Sequence, residues 1–182
     1  MCPERLRWWS TAVAILAGLL TFSPLVAAQT TEIRPEYVGT MYAPLDAPQV
    51  IDNTLFIYNV QEGGWFKGPG MNASIVAPAG DWLRLMPGGA ARLDVRLTLK
   101  TDDGALIYVS YNGVISHTKE SWDRLMKGET LTSKDHYFTT APTMQTSAEK
   151  YAWVNHVQFA GRIVEVKVGA GSYVKYDIFA LR

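Results

Sequence analysis

Two strand-like runs, 92–100 and 105–112, flank the segment Thr101-Asp102-Asp103-Gly104, and the Asp-Gly pair makes the join a β-hairpin. The hairpin constrains the fold because its register is decidable. A two-residue turn at Asp103-Gly104 pairs Leu99 with Tyr108, Leu97 with Ser110 and Val95 with Asn112, which mixes apolar and polar on one face. A three-residue loop, with Gly104 in the left-handed region, pairs Leu99 with Ile107, Leu97 with Val109 and Val95 with Tyr111. Thr98 then meets Tyr108, Arg96 meets Ser110 and Asp94 meets Asn112 on the other face. A slip of one residue exchanges the faces of a strand, so the clean apolar face selects the second register.

The start of the chain addresses compartment. Arg5 and Arg7 precede an apolar stretch, 11–22, and Val26-Ala27-Ala28 has the small-residue pattern of a signal peptidase site. This predicts a signal peptide over 1–28, with cleavage after Ala28 and a periplasmic or secreted destination. A membrane anchor needs about 20 apolar residues, and this stretch is shorter and closely followed by Pro24. The only cysteine is Cys2, so the mature chain has no disulfide and no thiol chemistry, and its core must hold it together.

The remaining 29–182 suit one domain, expected as a flexible leader over 29–36 and a barrel domain over 37–182. Without Glu4, Arg5 and Arg7 the chain carries one more acidic than basic residue. No basic face is implied, so neither nucleic acid nor, after signal cleavage, a membrane is an expected partner; a homo-oligomer stays open. Aromatic residues make up 12% of the chain, which suits a ligand cavity and a β core equally.

Strands are expected near 37–42, 54–60, 72–76, 82–86, 92–100, 105–112, 136–140, 151–159, 163–168 and 173–181, punctuated by Gly- and Pro-rich turns. Such spacing indicates an antiparallel sandwich or barrel. One helix is expected: Thr118 caps it, Trp122, Leu125 and Met126 share a face, and Gly128 ends it.

Several stretches carry a family resemblance: Gly63-Gly64 with Gly68-Pro69-Gly70; Gly80-Asp81-Trp82; Leu93-Asp94 with Thr101 to Tyr108; Tyr137-Phe138 with Pro142; and Tyr151-Ala152-Trp153-Val154-Asn155. In this order they resemble the domain-of-unknown-function family 3237, over about 37–181. The resemblance implies a single antiparallel β-barrel, with a lumen suited to small aromatic or polyketide-like metabolites. The Arg that usually follows the family's Tyr-Phe pair is Thr139 here, and the Tyr that usually precedes the pair is His136. No anion-binding role therefore carries over to position 139. The expected fold class is all-β, a barrel with one short helix.

The polar hairpin face is the candidate site, and two readings of it stay open. As a site, Arg96 holds an enolate or carboxylate, Asp94 is the general base, and Tyr108 and Asn112 donate hydrogen bonds, a set suited to proton transfer beside a carbonyl. As structure, the face is solvated and Asp94 and Arg96 form an ordinary ion pair. Trp82, Tyr137 and Trp153 are the expected aromatic contacts to a ligand, with Asn155 beside Trp153 by strand alternation.

Other chemistry finds little support. His117, His136 and His156 lack metal-ligand spacing, and no metal or other cofactor is expected. The 63–70 segment lacks the ending of a phosphate loop, and neither Ser110 nor Ser116 lies in a Gly-x-Ser-x-Gly elbow. Asn72-Ala73-Ser74 is a glycosylation sequon. Three functions follow as expectations: an exported barrel that binds a small organic ligand; a cofactor-independent isomerase, cyclase or lyase; or a structural or interaction protein of the envelope.

Overall fold

The hairpin adopts the three-residue register. Val95, Leu97 and Leu99 stand opposite Tyr111, Val109 and Ile107, while Asp94, Arg96 and Thr98 stand opposite Asn112, Ser110 and Tyr108. Gly104 takes φ +87°, and the Gly104 N–H donates to the Thr101 carbonyl at 2.8 Å. The left-handed position needs a residue without Cβ, which is why the Asp-Gly pair fixes this loop.

The computed structural model describes residues 32–182; the expected signal peptide, 1–28, lies outside them. In chain order the strands are β1 (Pro35–Pro44), β2 (Gln49–Val50), β3 (Leu55–Asn59), β4 (Trp65–Gly68), β5 (Met71–Met86), β6 (Ala90–Thr101) and β7 (Leu106–Ser116). Then come helix α1 (Lys119–Met126), β8 (Leu131–Thr132), β9 (Tyr137–Gln145), a 3-10 helix (Glu149–His156), β10 (Gln158–Lys167) and β11 (Tyr173–Leu181).

Eight strands close on themselves in the order β5-β4-β1-β11-β10-β9-β7-β6, with β6 returning to β5. Every neighbouring pair is antiparallel. Closure removes the exposed edges that an open sheet would present. The long β5 serves two neighbours: 71–74 pair with β4, whereas 80–84 pair with β3. Its register against β6 slips between Val76 and Gly80, around Pro78. Proline cannot donate to the ladder and is tolerated at such an irregularity, where the strand changes direction.

Two expected elements are corrected. The segment 151–159 is not one strand, because 149–156 form a 3-10 helix and β10 begins only at Gln158. Tyr151 and Val154 are buried three apart, the spacing of a 3-10 turn rather than a pleat. Conversely, Trp65–Gly68, absent from the expected strands, is a strand between β1 and β5. The barrel also begins inside the expected leader: Arg34 and Arg182 exchange backbone hydrogen bonds, and Pro35 pairs with Leu181. The predicted helix is present. The Ser121 N–H donates to the Thr118 hydroxyl at 3.1 Å, and Gly128 follows the helix at φ +82°.

The interior is uneven. Toward one end it is packed solid with Phe66, Leu99, Ile107, Val154, Phe159 and Ile178, each at most 1% exposed. The 3-10 helix is fastened at that end. Tyr151 donates its hydroxyl to Asp103 at 3.1 Å, and Lys150 pairs with the same carboxylate at 2.6 Å. Toward the other end the barrel is hollow.

Candidate functional site

The hollow half is a cavity of about 550 Å³, opening between α1, the segment 45–48 and the turn 167–172. The volume falls in the range of small-molecule sites. Strand alternation explains its lining. On the second half of β5, Asp81, Leu83 and Leu85 point inward and Trp82, Arg84 and Met86 outward. On β6, Ala91, Leu93, Val95 and Leu97 point inward. Ala43 and Ala91 occupy lining positions where a larger side chain would reach toward the axis. Small residues there keep this half open.

One wall is aromatic from the mouth downward. Trp122 of α1 meets His117 edge to face at 5.5 Å, and His117 stacks on His136 at 4.9 Å with an interplanar angle of 19°. His136 contacts Phe138 at 5.9 Å, Phe138 meets Tyr176 at 5.4 Å, and Tyr176 meets Tyr111 at 6.0 Å. Six rings on α1, β7, β9, β11 and the adjoining loops thus form one continuous surface.

At the inner end of this surface lies a carboxylate. Strand pairing places Tyr58, Asp81, Val95 and Tyr111 in one row across β3, β5, β6 and β7. All four border the cavity. The Asp94 N–H donates to Oδ1 of Asp81 at 3.2 Å. No lysine or arginine pairs with Asp81 among the described residues. Burial pushes the Asp81 carboxyl up to about 7, opposed by the Asp94 N–H and reinforced by the Asp94 charge. Near neutrality this side chain can therefore either donate or accept a proton. Burial also raises the phenols of Tyr58, Tyr111 and Tyr176, and the Asp81 charge adds to each. Their hydroxyls remain donors at ordinary pH.

The histidine pair is held neutral. Burial lowers His117 to about 4, with His136 adding repulsion, and burial lowers His136 as well, against the opposing influence of Asp135 and the Thr132 backbone. The Nδ1 atom of His117 and both ring nitrogens of His136 are buried without a hydrogen-bond partner among the described residues. Among the described residues, no three His, Cys, Asp or Glu side chains converge as a metal site would require.

The polar residues of the hairpin do assemble, but on the outside. Asp94, Arg96, Tyr108 and Asn112 surround a shallow groove with Ser110 and Thr143. The Arg96–Asp94 pair spans 3.3 Å with side chains 53% and 45% exposed. Their strand neighbours Leu93, Val95, Leu97, Val109 and Tyr111 fill the interior, so the pleat sends the polar set outward. The enclosed site expected around these four residues is thus corrected to an outer-wall groove. Asn112 has a local partner: its Nδ2 donates to the Leu93 carbonyl at 3.1 Å.

The other expected ligand contacts also lie away from the cavity. Trp82 is on the outer wall, with the Arg96 guanidinium 5.8 Å over its ring. Tyr137 is 53% exposed. Trp153 lies at the packed end, 5.9 Å from Phe159. Asn155 closes a turn by bonding both the N–H and the carbonyl of Thr146. Sequence reasoning missed Asp81, Tyr58, Tyr111 and Tyr176. A usable signal existed: in the chosen register Tyr111 is the polar-tipped residue on the apolar face, and strand alternation makes Asp81 and Trp82 face opposite ways.

A family model described as "Protein of unknown function (DUF3237)" matches residues 33–181. A UPF0311 protein of Rhodopseudomonas palustris is 30% identical over 99 residues, which span 54% of this chain and 65% of that protein. A UPF0311 protein of Clostridium acetobutylicum is 32% identical over 95 residues, spanning 52% of this chain and 60% of that protein. The matched stretches thus cover less than two thirds of those relatives. Among solved structures, a conserved R. palustris protein of unknown function superimposes with a TM-score of 0.73 at 25% identity, covering 84% of this chain and all of that one. A β-barrel-like protein from Acinetobacter baumannii gives 0.66 at 25% identity, covering 86% of this chain and all of that one. An enzyme from Penicillium herquei gives 0.57 at 16% identity with the same coverage, a likeness of fold alone.

Proposed function

Since the chain belongs to the DUF3237 family, we propose that it is a small-molecule-binding β-barrel that takes an apolar, aromatic compound into the open end. The observation that carries this reading is the half-empty interior. A closed barrel of eight strands can fill itself with side chains, and the packed half of this one does. Leaving about 550 Å³ unfilled forgoes the dispersion contacts and burial that a solid core would supply. A ligand restores them.

The lining suggests the chemistry of that ligand. Six contiguous rings suit a flat polycyclic body such as an aromatic or polyketide-like metabolite. Asp81 and the Tyr hydroxyls suit a carbonyl or hydroxyl group at the leading edge. The outer wall bears Asp94 and Arg96 where a membrane-spanning barrel would show an apolar band, which supports a barrel working in water. The proposed compartment is outside the cytoplasm, on the signal-like segment 1–28.

The test is native mass spectrometry of protein purified from its own source, paired with a fluorescence titration using 1-aminoanthracene. A retained organic mass, or saturable dye binding lost in Leu83→Trp, supports the reading. Protein that carries no organic molecule and leaves the dye fluorescence unchanged refutes it.

A further inference from the structure

We propose that Asp81 is a catalytic acid–base that moves a proton within a carbonyl compound held in the cavity, with the Tyr111 hydroxyl binding the carbonyl oxygen. This rests on the cavity being a ligand site and adds a reaction to it.

The argument begins with placement. Asp81 and Tyr111 face the same space from β5 and β7, with Val95 of β6 between them. Two strand spacings separate their backbones by about 10 Å. Both side chains border the same cavity, so a carbonyl compound held there can meet both. Val95 puts an apolar floor there rather than a competing polar group. Tyr176 meets the Tyr111 ring edge to face from β11 at 6.0 Å.

The carboxylate is poised rather than neutralised. A purely structural buried aspartate is normally paired with a cation or saturated with hydrogen bonds, because an isolated buried charge is costly. Asp81 accepts one backbone N–H from Asp94 and has no cationic partner among the described residues. Its elevated ionisation matches a general base working near neutral pH. The phenol of Tyr111 stays protonated, as an oxyanion donor must.

The proposed reaction balances without a cofactor. The Asp81 carboxylate removes a proton from the carbon next to the carbonyl. The C–H electron pair becomes a C=C bond, the carbonyl π pair moves to oxygen, and the Tyr111 O–H stabilises the resulting enolate. Asp81, now a carboxylic acid, returns the proton to oxygen or to a conjugated carbon. The product is an isomer, and the carboxylate is regenerated.

A structural role for Asp81 is the rival, since it satisfies the Asp94 N–H. Asp81→Asn keeps an oxygen for that N–H and removes the base. The experiment follows exchange of the C1 protons of 2-tetralone with deuterium oxide by NMR, after its binding has been measured by tryptophan fluorescence. Expected is wild-type exchange about 100-fold or more above buffer, rising with pH around a midpoint near 7. Asp81→Asn should bind within a few-fold of wild type and lose the exchange. Asp81→Glu should restore part of it, and Tyr111→Phe should slow it about 10-fold or more. Equal exchange by wild type and Asp81→Asn, with both binding the ketone, overturns the catalytic role and leaves the binding reading intact. Failure of wild type to bind 2-tetralone, with 1-aminoanthracene also excluded, overturns both.

Discussion

The backbone N–H of Asp94 donates to the carboxylate of Asp81 across 3.2 Å, so two aspartates on adjoining strands touch while serving opposite sides of one wall. Asp81 faces the cavity, and Asp94 pairs with Arg96 in solvent. The contact lies where the β5–β6 ladder is interrupted: pairs are formed at Asp81–Val95 and again at Arg84–Arg92, with none between. Side chains fill the gap, Asp81 from within and Asn112 through the Leu93 carbonyl.

Asp81 makes stability depend on pH in a definite direction. The unfolded carboxyl titrates near 3.8 and the folded one near 7. Below pH 4 both states hold the proton and burial carries no charge penalty. Between pH 4 and 7 the unfolded chain releases a proton that the folded chain retains, so stability falls as pH rises, by up to about 4 kcal/mol. The groups facing this carboxyl are Tyr58, Asp94, Tyr111 and Tyr176. Asp94 is the one other carboxyl group among them. Thermal melts of Asp81→Asn should lack this decline, and the variant should be the more stable protein at pH 8. Parallel wild-type and variant profiles would contradict the assignment.

The histidine pair acts in the opposite sense. Unfolded His117 titrates near 6.5 and the folded side chain near 4, so the stability from keeping it neutral is present above pH 6.5 and lost as pH falls toward 4. His136 shifts in the same direction, with Asp135 beside it acting against the shift. His136→Phe preserves the stacked contact with His117 and removes one of the two groups. Its loss of melting temperature between pH 6.5 and 4, followed by circular dichroism, should be smaller than that of wild type.

The outer groove should be energetically quiet. Both members of the Asp94–Arg96 pair are about half exposed. Arg96→Ala should cost less than about 1 kcal/mol in urea unfolding and leave 1-aminoanthracene affinity unchanged. A tenfold loss of affinity would move the site to the outer wall.

The packed and hollow halves should respond differently to truncation. Leu99 is fully buried in the packed half. Leu99→Ala should cost about 2–5 kcal/mol and change dye affinity by less than threefold. Leu83→Trp fills space in the hollow half and should reduce dye affinity by tenfold or more, with little loss of stability in urea unfolding.

The hairpin register was legible because one slip mixes Leu with Ser and Asn while the other separates them, and burial enforces that difference. The helix was legible because Thr118 and Gly128 satisfy local rules at its ends. The direction of the polar face was a separate question. Alternation says that Asp94 and Val95 point oppositely, but only closure of the barrel decides which direction is inside. Asp81 was hidden for a related reason. The bend at Pro78 resets the pairing of β5 with β6, so facing could not be propagated along the strand from residues 71–76. The Tyr151–His156 stretch misled because its aromatic and β-branched residues suit a strand, whereas docking of Tyr151 and Val154 over the barrel end selects a 3-10 turn.

The solid packing beneath the cavity closes that end of the barrel, so among the described residues the hollow half opens only at the rim beside Trp122. A compound of the kind proposed above would therefore enter and leave by one mouth, and an occupied cavity would exclude a second guest until the first had left.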